Sequence, residues 1–291
     1  MIENQARIGN FTSSKIANLL SMGSRDMTEK ELEDYKKKNP KSKAKKIKDG
    51  FGKAALTYIK EKNMERRLGR SISTEISARA TSWGKLVEGV AFGLLGEDYT
   101  LASQETIVHS EIPYWSGSPD GWNPKTNTVM DIKSPMTLKS FCTFADCKTI
   151  EEVRENHDDG ETYYWQIVSN AVLTGMNKGE LIVYCPYQRE LDTIRQFAAN
   201  YDGEEQKKFE WISVWASDNE LPYLIEGRHY KNLHIISFDI PQSDIDMLTE
   251  RVKEAGKLLV KMDEIKSPYK PTEAQKKAAQ IKIKFMNELR E

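Results

Sequence analysis

Apolar residues recur at three- and four-residue spacing over 73–95, where Ile76, Ala80, Trp83, Val87, Ala91 and Leu94 make one stripe. That spacing predicts a long helix with one face against a core. Further helices are predicted over 54–67, 138–146, 150–155 and 163–173, the last stopped by Gly175. Between the early and later helices the period shortens to two. Residues 105–109, 111–116 and 128–133 read as three antiparallel strands, with the Asn-Pro-Lys-Thr-Asn turn at 123–127 before the last. Residues 180–185 read as a buried strand closed by Pro186, and 233–240 as another strand. An amphipathic helix is expected over 243–262 and a charged one over 274–289, after the break at Pro268 and Pro271; 194–217 is mixed. Near the start, residues 10–14 lead in extended form to a short helix through Leu20, with a Thr or Ser side chain capping its free N–H groups. Residues 27–53 are lysine-rich and weakly patterned.

Helix, strands, helix, strand is an α/β order: a mixed central β-sheet flanked by helices. No linker divides the chain. One domain over 1–291 is expected, with a core over about 7–240 and a helical extension over about 241–291. Hydrophobic residues make up 38% and charged residues 30%, which suits a polar globular chain. No apolar run approaches the ~18 residues of a membrane span. The N-terminus lacks the basic-then-apolar pattern of a signal peptide. Cys142, Cys147 and Cys185 are too few and too scattered for a disulfide framework, so a reduced, cytoplasmic setting is expected.

The net charge of −1 does not mark a nucleic-acid binder, but its distribution changes the picture. From Lys36 to Lys53 there are nine lysines and one acid, Asp49. Such a run is either a solvated loop or a local phosphate contact.

The candidate chemistry lies in Gly-Ser-Pro-Asp-Gly at 117–121 and Asp131-Ile132-Lys133. Residues i and i+2 of a strand share a face, so Asp131 and Lys133 project together while Ile132 turns into the core. Asp120, in the preceding turn, can fold back beside them. Two carboxylates and an ammonium suit a hard cation and a phosphodiester. Asp120 and Asp131 are candidate metal ligands, with the Ile132 carbonyl as a further one. Lys133 would position or deprotonate a water. Glu88, beside the apolar stripe, is the candidate third carboxylate. Gly84, on the same face, suggests close approach of another backbone or of DNA. Gln166 could hold the lysine or the water, with Asn170 one turn later on its side. Arg7 with Thr12, Ser13 and Ser14 makes a candidate anion site for a terminal 5′-phosphate. The four histidines show no metal-ligand spacing, and no ATP-binding loop is present.

These blocks resemble the phage lambda-type exonucleases of the PD-(D/E)XK superfamily, which have a restriction-endonuclease-like core. The likeness rests on Arg7 through Ser14, on Trp83-Gly84-Lys85 through Glu88, on Ser118-Pro119-Asp120-Gly121 with Asp131-Ile132-Lys133-Ser134-Pro135, and on Tyr164-Trp165-Gln166 with the later 182–186 block. They occur in the family's order over roughly 7–186. One departure is Asp131, where the lambda enzyme has a glutamate. The resemblance implies Mg²⁺-dependent digestion of the 5′-ended strand of linear double-stranded DNA, with Mn²⁺ as a substitute metal. It implies catalytic roles for Glu88, Asp120, Asp131, Lys133 and Gln166, and 5′-phosphate binding by Arg7 and Ser14. It also implies a ring of three subunits and a single-strand annealing protein as partner in phage recombination. Two other readings stay open: a repair nuclease or endonuclease of the same superfamily, and a catalytically silent DNA-binding member of the fold.

Overall fold

The computed structural model describes residues 5–72, 79–102, 106–202 and 206–264, with the single positions 273 and 277. A short strand, β1 (Phe11–Thr12), runs into a 3-10 helix, Ser13–Leu20. A ribbon follows: β2 (Met22–Asp26), α1 (Glu29–Lys38) and β3 (Lys46–Phe51). Two long helices, α2 (Lys53–Leu68) and α3 (Arg79–Gly93), lead to short strands β4 (Thr100–Leu101), β5 (Ile107–Val108), β6 (Trp115–Gly117) and β7 (Gly121–Asn123). Next come β8 (Thr128–Lys133), then α4 (Leu138–Ala145), α5 (Ile150–Asn156) and α6 (Gly160–Thr174), then β9 (Lys178–Tyr184). The remaining elements are α7 (Leu191–Ala199), α8 (Gln206–Glu210), a π-helical turn Trp211–Trp215, β10 (Leu233–Asp239) and α9 (Gln242–Glu264).

The central sheet has the order β10-β9-β8-β7-β4. Only β8 and β9 are parallel, as the long helical crossover between them requires. β8 is the middle strand and is buried on both faces, as a doubly covered strand must be. Its even residues Met130 and Ile132 pack with Ile182 and Tyr184 of β9 against Trp83, Val87 and Ala91 of α3 and Leu191 and Ile194 of α7. Its odd face, through Val129, packs with Leu181 and Val183 against Ile167, Val168 and Ala171 of α6. The result is a mixed sheet between two helical layers. α9 belongs to the second layer: Leu248, Val252, Ala255 and Leu259 are fully buried in that core.

Several expectations change. The three strands expected to be antiparallel neighbours divide between two sheets, because β6 pairs in parallel with β1 and antiparallel with β5. β8 instead takes β7 as its antiparallel partner. β7 reads as part of a turn in sequence, being only three residues long. The stripe over 73–95 is shorter than its spacing suggests. The helix ends at Gly93, leaving Leu94 46% exposed. Ala80 is exposed, and 73–78, with Ile76, lie outside the described residues. Thr12 occupies the N-cap of the 3-10 helix without a side-chain capping bond. The helix expected over 274–289 also lies outside the described residues. The weakly patterned 27–53 segment holds α1 and β3, whose order comes from polar contacts that hydrophobic periodicity does not register.

The ribbon is tied down by one side chain of α9. The Arg251 guanidinium donates to the carbonyls of Leu19 (2.9 Å), Ser21 (3.2 Å) and Gly50 (2.8 Å). It also lies 3.8 Å over the Phe51 ring. Charged hydrogen bonds of this kind are worth about 1.5–3 kcal/mol. Arg251→Ala is therefore expected to cost about 3 kcal/mol and to speed amide exchange over 22–51 while leaving α6 protected. Equal protection of the ribbon in both proteins would contradict the tether.

Candidate active site

Asp131 is fully buried, and its two oxygens are treated differently. Gln166 Nε2, from α6, donates to Oδ1 at 2.7 Å. Lys133 Nζ stands 2.6 Å from Oδ2 as an ion pair. Lys133 in turn reaches Gln166 Oε1 at 3.5 Å and lies 4.9 Å from the centre of the Tyr163 ring. Tyr163 is one helical turn before Gln166, so its place beside the lysine follows from helical spacing once Gln166 is placed.

Asp120 leads into β7 and accepts a 2.6 Å hydrogen bond at Oδ2 from the Ile132 N–H. The β7–β8 ladder ends at Met130, so this carboxylate continues the pairing where the strand stops. In a strand, the N–H and C=O of one residue point to the same side. The Ile132 carbonyl therefore also faces the side that β7 has vacated.

Glu88 comes from the other layer, on α3. It feels the charge of Asp131 and Asp120, which places the three carboxylates in one electrostatic cluster. Burial, then Asp131, holds the Glu88 carboxyl above its ordinary range. Burial, then Asp131 and Glu88, holds Asp120 well above its own. Burial pulls the Lys133 ammonium down, but Asp131 and Asp120 outweigh it, and its net shift is upward. In this cluster Lys133 is the counter-charge of Asp131 and Asp120.

Among the described residues, no three His, Cys, Asp or Glu side chains are closed into a metal cage. Lys133, and Lys85 beside Glu88, offset the three carboxylates, and two of their six oxygens are held by Gln166 and Ile132. The donor set still fits a hard cation. It is all oxygen, combining the carboxylates of Asp131, Asp120 and Glu88 with the carbonyl at the open edge of β8. Mg²⁺ is bound through one or two carboxylates with waters and substrate oxygens, and does not need a full protein cage.

The N-terminal residues divide. Thr12 is buried, and its N–H donates to Tyr58 Oη at 2.8 Å; its hydroxyl lies 3.3 Å from the same oxygen and 3.5 Å from Ser14 Oγ. Arg7 is exposed and its charge reaches Tyr58, whose hydroxyl burial pushes up to about 12. Ser14 is exposed beside this group. Ser13 is not on that surface. It turns inward, its hydroxyl 2.8 Å from Ser169 Oγ, because the 3-10 helix packs on α6. Glu65 of α2 fixes the lead-in: its Oε2 accepts from the Gly9 N–H at 2.9 Å, at a turn where φ is +67°. Tyr58 and Glu65 carry no local sequence signal for this task. Asn170 is fully buried, against Gly117. At Gly84 a methyl group would meet nothing within 4 Å among the described residues, so no backbone approaches it.

A five-stranded mixed sheet between helical layers, with carboxylates and a lysine at the end of its central strand, is the restriction-endonuclease-like α/β core. More particularly, the chain shares its fold with phage-type alkaline exonucleases. It is similar to the alkaline exonuclease LHK-Exo from Laribacter hongkongensis, with a TM-score of 0.52 and 16% identity over 96% of this chain and 97% of that one. For LHK-Exo in complex with dAMP the TM-score is 0.51 at 17% identity over the same shares. For a phage-related exonuclease from Haemophilus somnus it is 0.54 at 14% identity, over 88% of this chain and 95% of that one. Neither a protein-family model nor a curated protein matches the sequence. Among the described residues, no helix is long and apolar enough to cross a membrane.

Asp120 titrates near its ordinary 3.8 in the unfolded chain and well above it in the fold. The folded state thus binds more protons across that window, and metal-free stability falls as pH rises through it. Asp120→Asn removes the charge and keeps an oxygen for the Ile132 N–H. In EDTA near pH 8 the variant is expected to melt roughly 3 °C above the parent. The gap should close toward about pH 4. A variant less stable at both pH values would contradict the repulsion.

Proposed function

We propose that this chain is a metal-dependent exonuclease that digests the 5′-ended strand of linear duplex DNA and leaves a 3′ overhang. One observation carries the reading: buried Asp131 stands beside Lys133 at the open end of β8, with Asp120 tied to the intervening amide, in a fold shared with exonucleases. The dAMP complex of LHK-Exo lends support, since a nucleoside monophosphate is what removal of one terminal nucleotide releases.

Glu88, Asp120 and Asp131, with the Ile132 carbonyl, would hold Mg²⁺ or Mn²⁺. Such a cation supplies an activated water and offsets charge on the phosphate. Gln166 holds Asp131 by Oδ1, which fixes the carboxylate so that Oδ2 stands beside Lys133. Lys133 offers an Nζ proton to the oxygen that gains charge. The Arg7 guanidinium and the Ser14 hydroxyl take the terminal 5′-phosphate, which sets the register of the strand. Phosphate contacts position without reading bases, so digestion is independent of sequence. In this reading three chains form a ring around the duplex, and an annealing protein takes up the overhang in phage or prophage recombination; both features follow from the family resemblance.

The test is digestion of end-labelled linear duplex with and without Mg²⁺. Mononucleotide release only with the metal is expected. Asp120→Asn, the more stable chain, should lose activity by about 10³-fold while still binding duplex. Arg7→Ala should erase the preference for a 5′-phosphate over a 5′-hydroxyl end. Cleavage of closed circular DNA, or full activity in Asp120→Asn, would overturn the reading.

A further inference from the structure

The lysine-rich ribbon stands outside the site described above. A two-stranded ribbon is marginal without an apolar face to bury, and α1 has no buried residue. What orders it is polar. Arg25 grips both oxygens of Glu31 at 2.7 Å and Asp49 at 2.5 Å. Thr28 and Glu31 close a capping box at the start of α1. Arg251 anchors the root on three carbonyls. These contacts also neutralise acids of the ribbon, since Arg25 occupies both Glu31 and Asp49.

The lysines are left over. From Lys36 to Lys48 there are eight lysines and no acid, and all eight are exposed. Among the described residues their one ion-pair partner is Asp34, 3.5 Å from Lys37. The whole chain carries a net charge of −1, so this density of positive charge is local. A self-repelling patch on a tethered, ordered arm is suited to a polyanion.

We propose that this arm grips the phosphate backbone of the DNA duplex behind the end that enters the active site; this rests on the exonuclease reading. The 3-10 helix links the two. At about 2 Å per residue, Met22 lies roughly 16 Å along the chain from Ser14. The ribbon reaches about 20 Å further. Phosphates recur every 3.4 Å along a strand. The arm therefore meets the duplex within roughly ten base pairs of its terminus. The stretch holds lysines and no arginine, which suits point-charge contact with a backbone and not bidentate base readout.

The experiment substitutes Lys41, Lys43, Lys45 and Lys48 by Gln in the full chain, leaving α1 intact. Binding to a linear 5′-phosphorylated duplex is measured in EDTA across a salt series. The slope of log K against log salt should fall by about 0.9 for each lysine on a phosphate, up to about 3.6. Hydroxyl-radical protection of the duplex should shrink selectively within about ten base pairs of the end. An unchanged slope and footprint would overturn the proposal. So would lysine-dependent binding to vesicles of roughly 30% phosphatidylserine alongside unaltered DNA affinity, which would mark a membrane surface. Binding in EDTA is read apart from cleavage. Lysine-dependent binding without any cleavage in Mg²⁺ would sink the nuclease reading alone, and cleavage with lysine-independent binding would sink the arm alone.

Discussion

A fully buried carboxylate in the central strand governs the arrangement around it. Asp131 lies near the end of β8, the middle strand, where both faces of the sheet are covered. An isolated charge there would cost several kcal/mol, so it must be matched. Lys133 supplies the opposite charge from two residues along the same strand, and Gln166 supplies a donor from the helix above. Lys133 is thereby held near the sheet and over the Tyr163 ring. Removing Lys133 would leave the carboxylate with the neutral Gln166 donor and no counter-charge on its own strand. The strand, α6 and the candidate chemistry are thus fixed by one electrostatic requirement.

That requirement is met only in part. Glu88 and Asp120 add two more carboxylates, and both are driven toward their protonated forms by burial and by Asp131. The cluster is short of positive charge. A fold selected for stability alone would have placed apolar side chains here, as it does at Met130 and Ile132 on the opposite face. Concentrated, uncompensated carboxylates at the end of a strand are a common trade of stability for function. The early end of β7 contributes as well, since it frees the Ile132 carbonyl and lets Asp120 take the adjacent amide.

The ribbon shows the same economy with opposite sign. It buries little apolar surface and is held by guanidinium contacts at its base and its middle. Arginine suits both places, because its planar fork can satisfy several oxygens at once. The acids of the ribbon are partly absorbed by Arg25, and the lysines are not. Carboxyl groups gather at the end of β8 and positive charge on an arm some distance along the chain, within a protein of nearly zero net charge. Net charge is accordingly a poor guide to what such a chain touches.

Local patterning was enough for β8, whose bounds 128–133 follow from period-two alternation, and for α6, closed by Gly175 at φ 74°. It was also enough to put Asp131 and Lys133 on one face, because a strand's side chains alternate whatever surrounds it. The split of the short strands between two sheets was not legible. Two- and three-residue strands carry no periodicity, and their partners lie as far away as β1 and β6. Nor could spacing reveal that Ser13 turns inward to Ser169 while Ser14 stays outside, or that Tyr58 and Glu65 hold the N-terminal lead. Those contacts join residues 46 to 156 positions apart. Local sequence determines which way a side chain leaves its own element. Only the packed structure decides what it meets there, because the meeting depends on where distant elements come to rest.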